Sequence, residues 1–211
     1  MTDFRERLSA YRVLPVVTAR DVTSTLQLAS ALSRGGMGAI EVTLRTPAAL
    51  EVIRELKAAG SELAIGAGTV TGPAELDDAL AAGADFIVSP GSTPDLLRAA
   101  RDAGIDLVPG VATASEVMMG LDLGYDTFKL FPAVASGGLA LLRSLAGPFP
   151  QVAFCPTGGL GPDNFLEFLA LPNVICCGGS WMVASSLVDN GDWETIESLT
   201  RAAMQAAGKG G

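Results

Sequence analysis

Two hydrophobic periods alternate along the chain. Short apolar runs, such as Val13 to Val17 and Phe86-Ile87-Val88, fit strands. Between them lie Ala/Leu-rich amphipathic stretches with helical spacing. Three segments share one plan: Gly83-Ala84-Asp85-Phe86-Ile87-Val88, Gly104-Ile105-Asp106-Leu107-Val108 and Gly124-Tyr125-Asp126-Thr127-Phe128. Each follows a helical stretch, sets a Gly where a helix end favours a left-handed residue, and then enters an apolar run. Gly38-Ala39-Ile40-Glu41-Val42, Gly60 to Ile65, Val152 to Cys155 and Asn173 to Cys176 follow the plan more loosely. Strand starts recur about every 20 to 25 residues, the spacing of a compact βα unit.

This pattern predicts eight strands, starting near 13, 39, 62, 85, 106, 126, 151 and 173. Helices are expected over about 22–34, 47–59, 73–82, 93–103, 114–123, 137–146 and 162–170, with two more pieces near 180–187 and 192–206. Thr46-Pro47, Gly72-Pro73, Thr93-Pro94 and Gly161-Pro162 read as helix starts with proline in the first turn. Eight βα units without a linker predict an α/β protein: a (β/α)8 TIM barrel with an N-terminal helix over 3–10. The whole of 1–211 reads as a single domain, with 208–211 as a tail. A doubly wound open sheet is the alternative. The turn after Val17 lacks the Gly-rich fingerprint of a dinucleotide-binding fold.

Barrel enzymes place their chemistry at strand C-termini. In Ala39 to Arg45, alternation sends Ile40, Val42 and Leu44 towards helices and Glu41, Thr43 and Arg45 inward. A structural Glu–Arg ion pair is the simpler explanation of that set. In Thr127 to Pro132, Lys129 points inward with Thr127 and Phe131. Lysine is almost never buried unless paired. Burial disfavours an ammonium charge, and Schiff-base chemistry needs a neutral amine. The alternative is a structural pair with Glu41 or a snorkelling stem. Thr69 ends Gly66-Ala67-Gly68-Thr69 and suits either an anion or a helix cap. Pro156-Thr157-Gly158-Gly159 follows the seventh strand, and Gly178-Gly179-Ser180 follows the eighth and precedes a helical stretch. Loops at these two strand ends often hold phosphate in barrels, through backbone N–H groups and a helix N-terminus.

Composition narrows the chemistry. Of 14 basic residues only Lys57, Lys129 and Lys209 are lysines. Lys57 falls on a helix surface and Lys209 in the tail, which leaves Lys129 as the candidate nucleophile. There is no histidine, which excludes imidazole-based triads and metal sites. A net charge of −9 argues against nucleic acid and anionic membranes as partners. An anionic ligand then needs a local site, which Gly-rich turns supply without net basic charge. Three cysteines, two of them adjacent, make no disulfide framework, which fits a reducing, cytoplasmic setting. Cys155, Cys176 and Cys177 are expected in the core, and Met118 and Met119 in helix packing. Trp181 and Trp193 suit core or subunit contact. Met1 to Ala10 is polar and does not read as a signal peptide, and no run approaches the length of a membrane span.

The chain resembles the family of 2-keto-3-deoxy-6-phosphogluconate (KDPG) aldolases, whose members often also cleave 2-keto-4-hydroxyglutarate (KHG). The resemblance rests on Glu41-Val42-Thr43-Leu44-Arg45-Thr46, Gly66-Ala67-Gly68-Thr69-Val70, Ser89-Pro90-Gly91, Pro109-Gly110-Val111, Phe128 to Ala133, Phe154 to Gly159 and Gly178-Gly179-Ser180-Trp181, in order over nearly the whole chain. It implies a class I aldolase, without metal or other cofactor, acting on a small-molecule substrate and usually assembled as a homotrimer. Lys129 matches the Schiff-base lysine and Glu41 the general acid/base. Arg45 and Thr69 match ligands of the pyruvate carboxylate. Pro90, Phe131 and Thr157 match pocket-lining positions, and Gly158, Gly159, Gly179 and Ser180 match the phosphate site. Two alternatives stay open: a phosphosugar isomerase or epimerase barrel using Glu41 as base, and a non-catalytic phosphometabolite-binding barrel.

Overall fold

In a computed structural model, residues 4–208 are described. The chain alternates parallel strands with helices. Helix α1 (Phe4–Tyr11) leads into β1 (Val13–Val17), α2 (Val22–Arg34) and β2 (Ala39–Thr43). There follow α3 (Ala49–Ala58), β3 (Ala64–Gly68), α4 (Pro73–Ala81), β4 (Phe86–Val88) and α5 (Pro94–Ala103). The fifth strand is interrupted at Pro109, giving β5 (Leu107–Val108) and β6 (Gly110–Val111). Proline has no N–H to add to a ladder, but its carbonyl still accepts from the Lys129 amide at 2.9 Å. Next come α6 (Ala114–Asp122), β7 (Thr127–Leu130), α7 (Gly138–Ala146), β8 (Ala153–Phe154) and α8 (Phe165–Leu169). The last elements are β9 (Cys177–Gly179), α9 (Ser185–Asp189) and α10 (Trp193–Gly208).

Every strand pairing is parallel. One sheet has the order β5-β4-β3-β2-β1-β9 and the other β6-β7-β8. Single bridges, Phe154 to Val174 and Thr157 to Gly178, join the strand-like segments beyond. This is a parallel α/β fold with its strands in sequence order around β1.

Strand alternation sorts the core into two bodies. Val13, Ile40, Val42, Ile65, Ile87, Phe128, Leu130 and Phe154 pack with the helices. Their strand neighbours Leu14, Ala39, Phe86, Val88, Val108, Cys155 and Cys176 form a second cluster on the opposite face. Leu8 of α1 belongs to that second cluster. Burying Phe86 there contributes about 2–3 kcal/mol, so this interior is packed and not a channel. Helix α1 is held at the strand starts by Arg5 on Asp126 and on the Gln151 carbonyl, and by Arg7 on Asp106.

Element types match the sequence pattern, with informative departures. Gly83, Gly104 and Gly124 all take positive φ at the helix ends, as their spacing predicts. Thr93 accepts from the Leu96 amide and Pro94 opens α5. Thr46-Pro47 does not start a helix: α3 begins at Ala49 without a side-chain cap, and the Thr46 hydroxyl donates to the Ala19 carbonyl instead. The helix expected from 162 begins only at Phe165, because Asn164 folds back on the Gly161 amide in a turn. The strand expected near 173 lies at Cys177–Gly179, so the two glycines are strand residues and not its loop. The piece expected over 180–187 is a three-residue 3-10 turn, Trp181–Val183, followed by α9. Met118 is an exposed residue and not a packed one. Trp181 packs on Phe165, with ring centroids 5.2 Å apart. Of the expected tail, Gly208 closes α10, while 209–211, with Lys209, lie outside the described residues.

Candidate active site

Glu41 is the third residue of β2 and Lys129 the third of β7. Their neighbours Ile40, Val42, Phe128 and Leu130 are all drawn into the helix-facing core. Alternation then forces both charged side chains to the other face. They meet there. The Lys129 ammonium nitrogen donates to both Glu41 oxygens, at 3.1 and 3.3 Å. Only 5% of the Lys129 side chain and 1% of the Glu41 side chain are exposed. Lys129 Nζ also lies 5.4 Å from the centroid of the Phe131 ring.

The partner of Glu41 is thus Lys129. Arg45, the other partner weighed from sequence, turns away and donates its Nε to the Thr69 hydroxyl at 3.1 Å. Thr69 does not cap a helix, since α4 starts at Pro73 behind Gly72. It sits instead at φ +62°, a left-handed conformation that is unusual for a β-branched residue. Thr43 shares the inner face with Glu41 and is fully buried, its hydroxyl donating to the Val17 carbonyl at 2.9 Å.

The remaining predicted positions lie beyond the strand ends. Thr157 is buried, and its backbone bridges to Gly178. Gly158 and Gly159 both have positive φ. Gly179 ends β9, and Ser180 is exposed just after it. No long helix starts at Ser180, so a macrodipole there does not arise; only backbone amides and the serine hydroxyl are on offer. Pro90 is half-buried, and the space beside its carbonyl is filled by Gly110. Lys57 pairs with Asp85 at 2.6 Å, well outside this site.

Sequence reasoning missed one residue. A Cβ at Gly68 would overlap the Glu41 carboxylate. The register pairs Thr43 with Gly68 and Glu41 with Gly66, so this carboxylate reaches forward across a strand that carries no side chain there. The signal was present as glycines in a strand interior, which mark a close approach. Which side chain approaches depends on register, and spacing alone does not give it.

Among the described residues, no group of three or more His, Cys, Asp or Glu side chains could hold a metal ion, and no helix is long and apolar enough to cross a membrane.

A buried amine held against a carboxylate on the inner face of parallel strands is an arrangement that suits an α/β enzyme working through covalent carbonyl chemistry. Comparison with known proteins places it more narrowly. The chain belongs to the KDPG and KHG aldolase family, whose profile matches residues 4–199. It is 50% identical over 195 residues to a 2-dehydro-3-deoxy-phosphogluconate aldolase of Pseudoalteromonas atlantica, covering 92% of this chain and 91% of that one. It is 45% identical over 195 residues to the KHG/KDPG aldolase of Escherichia coli, covering 92% of each. Its fold matches the crystal structure of KDPG aldolase from Legionella pneumophila, which holds pyruvate as a covalent carbinolamine. That match has a TM-score of 0.93 at 46% identity and covers 96% of this chain and 98% of the other.

Proposed function

We propose that this chain is a class I aldolase that reversibly cleaves KDPG to pyruvate and glyceraldehyde 3-phosphate, and also KHG to pyruvate and glyoxylate. The observation that carries this reading is the buried contact of Lys129 Nζ with Glu41, at 3.1 Å. The chemistry runs as follows. Lys129 passes a proton to Glu41, its neutral amine attacks the C2 ketone, and Glu41 returns the proton to the departing oxygen, so that water leaves as the iminium forms. Glu41, acting through water, takes the C4 hydroxyl proton. The C3–C4 bond breaks, its electron pair passing into the enamine, and the aldehyde departs. Protonation at C3 and hydrolysis release pyruvate and return the amine. The iminium is the electron sink.

In this reading Arg45 and Thr69 hold the pyruvate carboxylate, and Arg45 keeps both terminal nitrogens for a bidentate contact while its Nε engages Thr69. Pro90, Phe131 and Thr157 line the substrate, and Gly158, Gly159, Gly179 and Ser180 receive the phosphate. The same reading takes the fold as one closed (β/α)8 barrel domain spanning 1–211. Two observations support closure: β5 and β6 are one strand broken at Pro109, and the bridge from Thr157 to Gly178 spans the gap between β8 and β9. We place the enzyme in the cytoplasm as a homotrimer. The family resemblance carries the trimer, and exposed Met118 and Val134 offer apolar surface for subunit contact.

Incubation with pyruvate and sodium borohydride, followed by peptide mass spectrometry, tests the reading. A reduced pyruvyl adduct on Lys129 is expected. Its absence from folded protein in excess pyruvate would overturn the Schiff base and revive an isomerase or binding barrel.

A further inference from the structure

The chain carries 23 acidic residues against 14 basic ones. One cavity of about 160 Å³ runs against that balance. Arg20, Arg45, Thr18, Ser180 and Ser185 line it, and among the described residues no carboxylate does. It opens beside the end of β1 and the turn that follows β9, next to the Ser180 loop. An acidic protein that gathers two guanidiniums and several hydroxyls around one hollow has built a local anion site against its own field.

The two arginines are differently engaged. Arg45 gives its Nε to Thr69, on the β3 side of the cavity. Arg20, in the loop after β1, places Nη1 2.7 Å from Asp189 Oδ1 at the end of α9. Both members of that second pair are solvent-exposed, at 58% and 40%. An exposed pair of this kind holds only about 0–1 kcal/mol. Its guanidinium can therefore exchange one anion for a stronger one at little cost. The substrate of the aldolase reading has two anionic ends, a carboxylate beside the reacting ketone and a phosphate at the far carbon.

We propose that Arg20 is the specificity-determining residue for the distal phosphate. Its guanidinium leaves Asp189 and pairs with the phosphate held at Ser180, two N–H groups on two oxygens, as arginine's planar fork permits. Asp189 is the competitor: a neutral hydroxyl end cannot displace it, and a dianion can. This inference rests on the aldolase reading and adds the residue that separates phosphorylated from unphosphorylated substrates.

The test is steady-state cleavage of KDPG and of unphosphorylated 2-keto-3-deoxygluconate by the full-length enzyme and two variants. Arg20→Gln is expected to raise the KM for KDPG roughly ten- to a hundredfold, the worth of a hydrogen-bonded charge, with a much smaller change in kcat. Its effect on 2-keto-3-deoxygluconate is expected to be several-fold smaller. Asp189→Asn frees the guanidinium and is expected to lower the KM for KDPG. A merely structural ion pair predicts the same direction for both variants and the same loss on both substrates, and that result would overturn the proposal. If Arg20→Gln does not fold, the sign of the Asp189→Asn effect decides alone. Borohydride trapping of pyruvate on each protein separates the two layers. An adduct with no substrate discrimination removes Arg20 from its role and leaves the aldolase standing, whereas no adduct on the wild-type protein removes the aldolase reading itself.

Discussion

Lys129 and Glu41, 88 positions apart in the chain, share two hydrogen bonds of 3.1 and 3.3 Å with both side chains buried. Neither charge has an alternative partner in water. Removing one member of a buried pair strands the other, at a cost of about 3–5 kcal/mol. Lys129→Met is thus expected to abolish both turnover and the pyruvate adduct, and also to lower the urea midpoint markedly. The double variant Lys129→Met/Glu41→Gln is expected to recover most of that stability and none of the activity. Equal stability of the single and double variants would show that the pair is not coupled.

Glu41→Gln keeps the shape and removes the base proposed for the C4 hydroxyl. Its kcat is expected to fall about 100-fold or more, the usual worth of general acid–base catalysis. Near-normal kcat in this variant removes Glu41 from proton transfer.

Gly68 has no part in bond making, but it leaves the room that the Glu41 carboxylate occupies. Gly68→Ala pushes that carboxylate aside. Misplacing a catalytic group by about 1 Å costs roughly 100-fold. We expect a loss of that order in kcat while circular dichroism stays native.

Thr69 stands at φ +62° with its hydroxyl on Arg45 Nε. A left-handed conformation costs an L-residue about 1–2 kcal/mol, and glycine escapes it. Thr69→Gly is expected to keep or raise the melting temperature and at the same time to raise the KM for pyruvate in the condensation direction. Thr69→Ser is expected to stay close to wild type in KM. A large fall in melting temperature on Thr69→Gly would show that the backbone there is not strained.

Burial pushes the thiols of Cys176 and Cys177 well above the ordinary range. They stay protonated in the folded protein, while the same thiols in the unfolded chain ionise near their usual value of about 8.5. The unfolded state therefore loses protons first, and stability is full below that value and declines as pH rises past it. Urea unfolding is expected to show a steeper alkaline decline for the wild type than for a Cys176→Ala/Cys177→Ala variant. With all three cysteines buried, a thiol reagent at pH 8 is expected to react only after denaturation.

The two-residue period of strands was enough to aim Glu41 and Lys129 at one face, because their neighbours Ile40, Val42, Phe128 and Leu130 left no other choice. The three Gly-led repeats were equally legible, since each glycine answers a local need at a helix end. What escaped depends on distant partners. The choice of Glu41 between Arg45 and Lys129 was decided by strand register and by the space at Gly68. The shift of the last strand onto Cys177–Gly179 arises from its pairing with β1, where Pro15 lies opposite Gly179. Glycines read from sequence alone look like loop. Ser180 was read as the head of a helix, but the chain there makes only a short 3-10 turn.

Helix α1 is made before every strand that it closes. Arg7 finds Asp106, and Arg5 finds the Gln151 carbonyl, across separations of 99 and 146 residues. Its one fully buried residue, Leu8, enters a cluster with Val88, Val108, Cys155 and Cys176. On a growing chain those neighbours do not yet exist, and eight residues are too few to hold a helix alone in water. Helix α1 therefore cannot complete its contacts until the most distant of these neighbours, Cys176, has emerged.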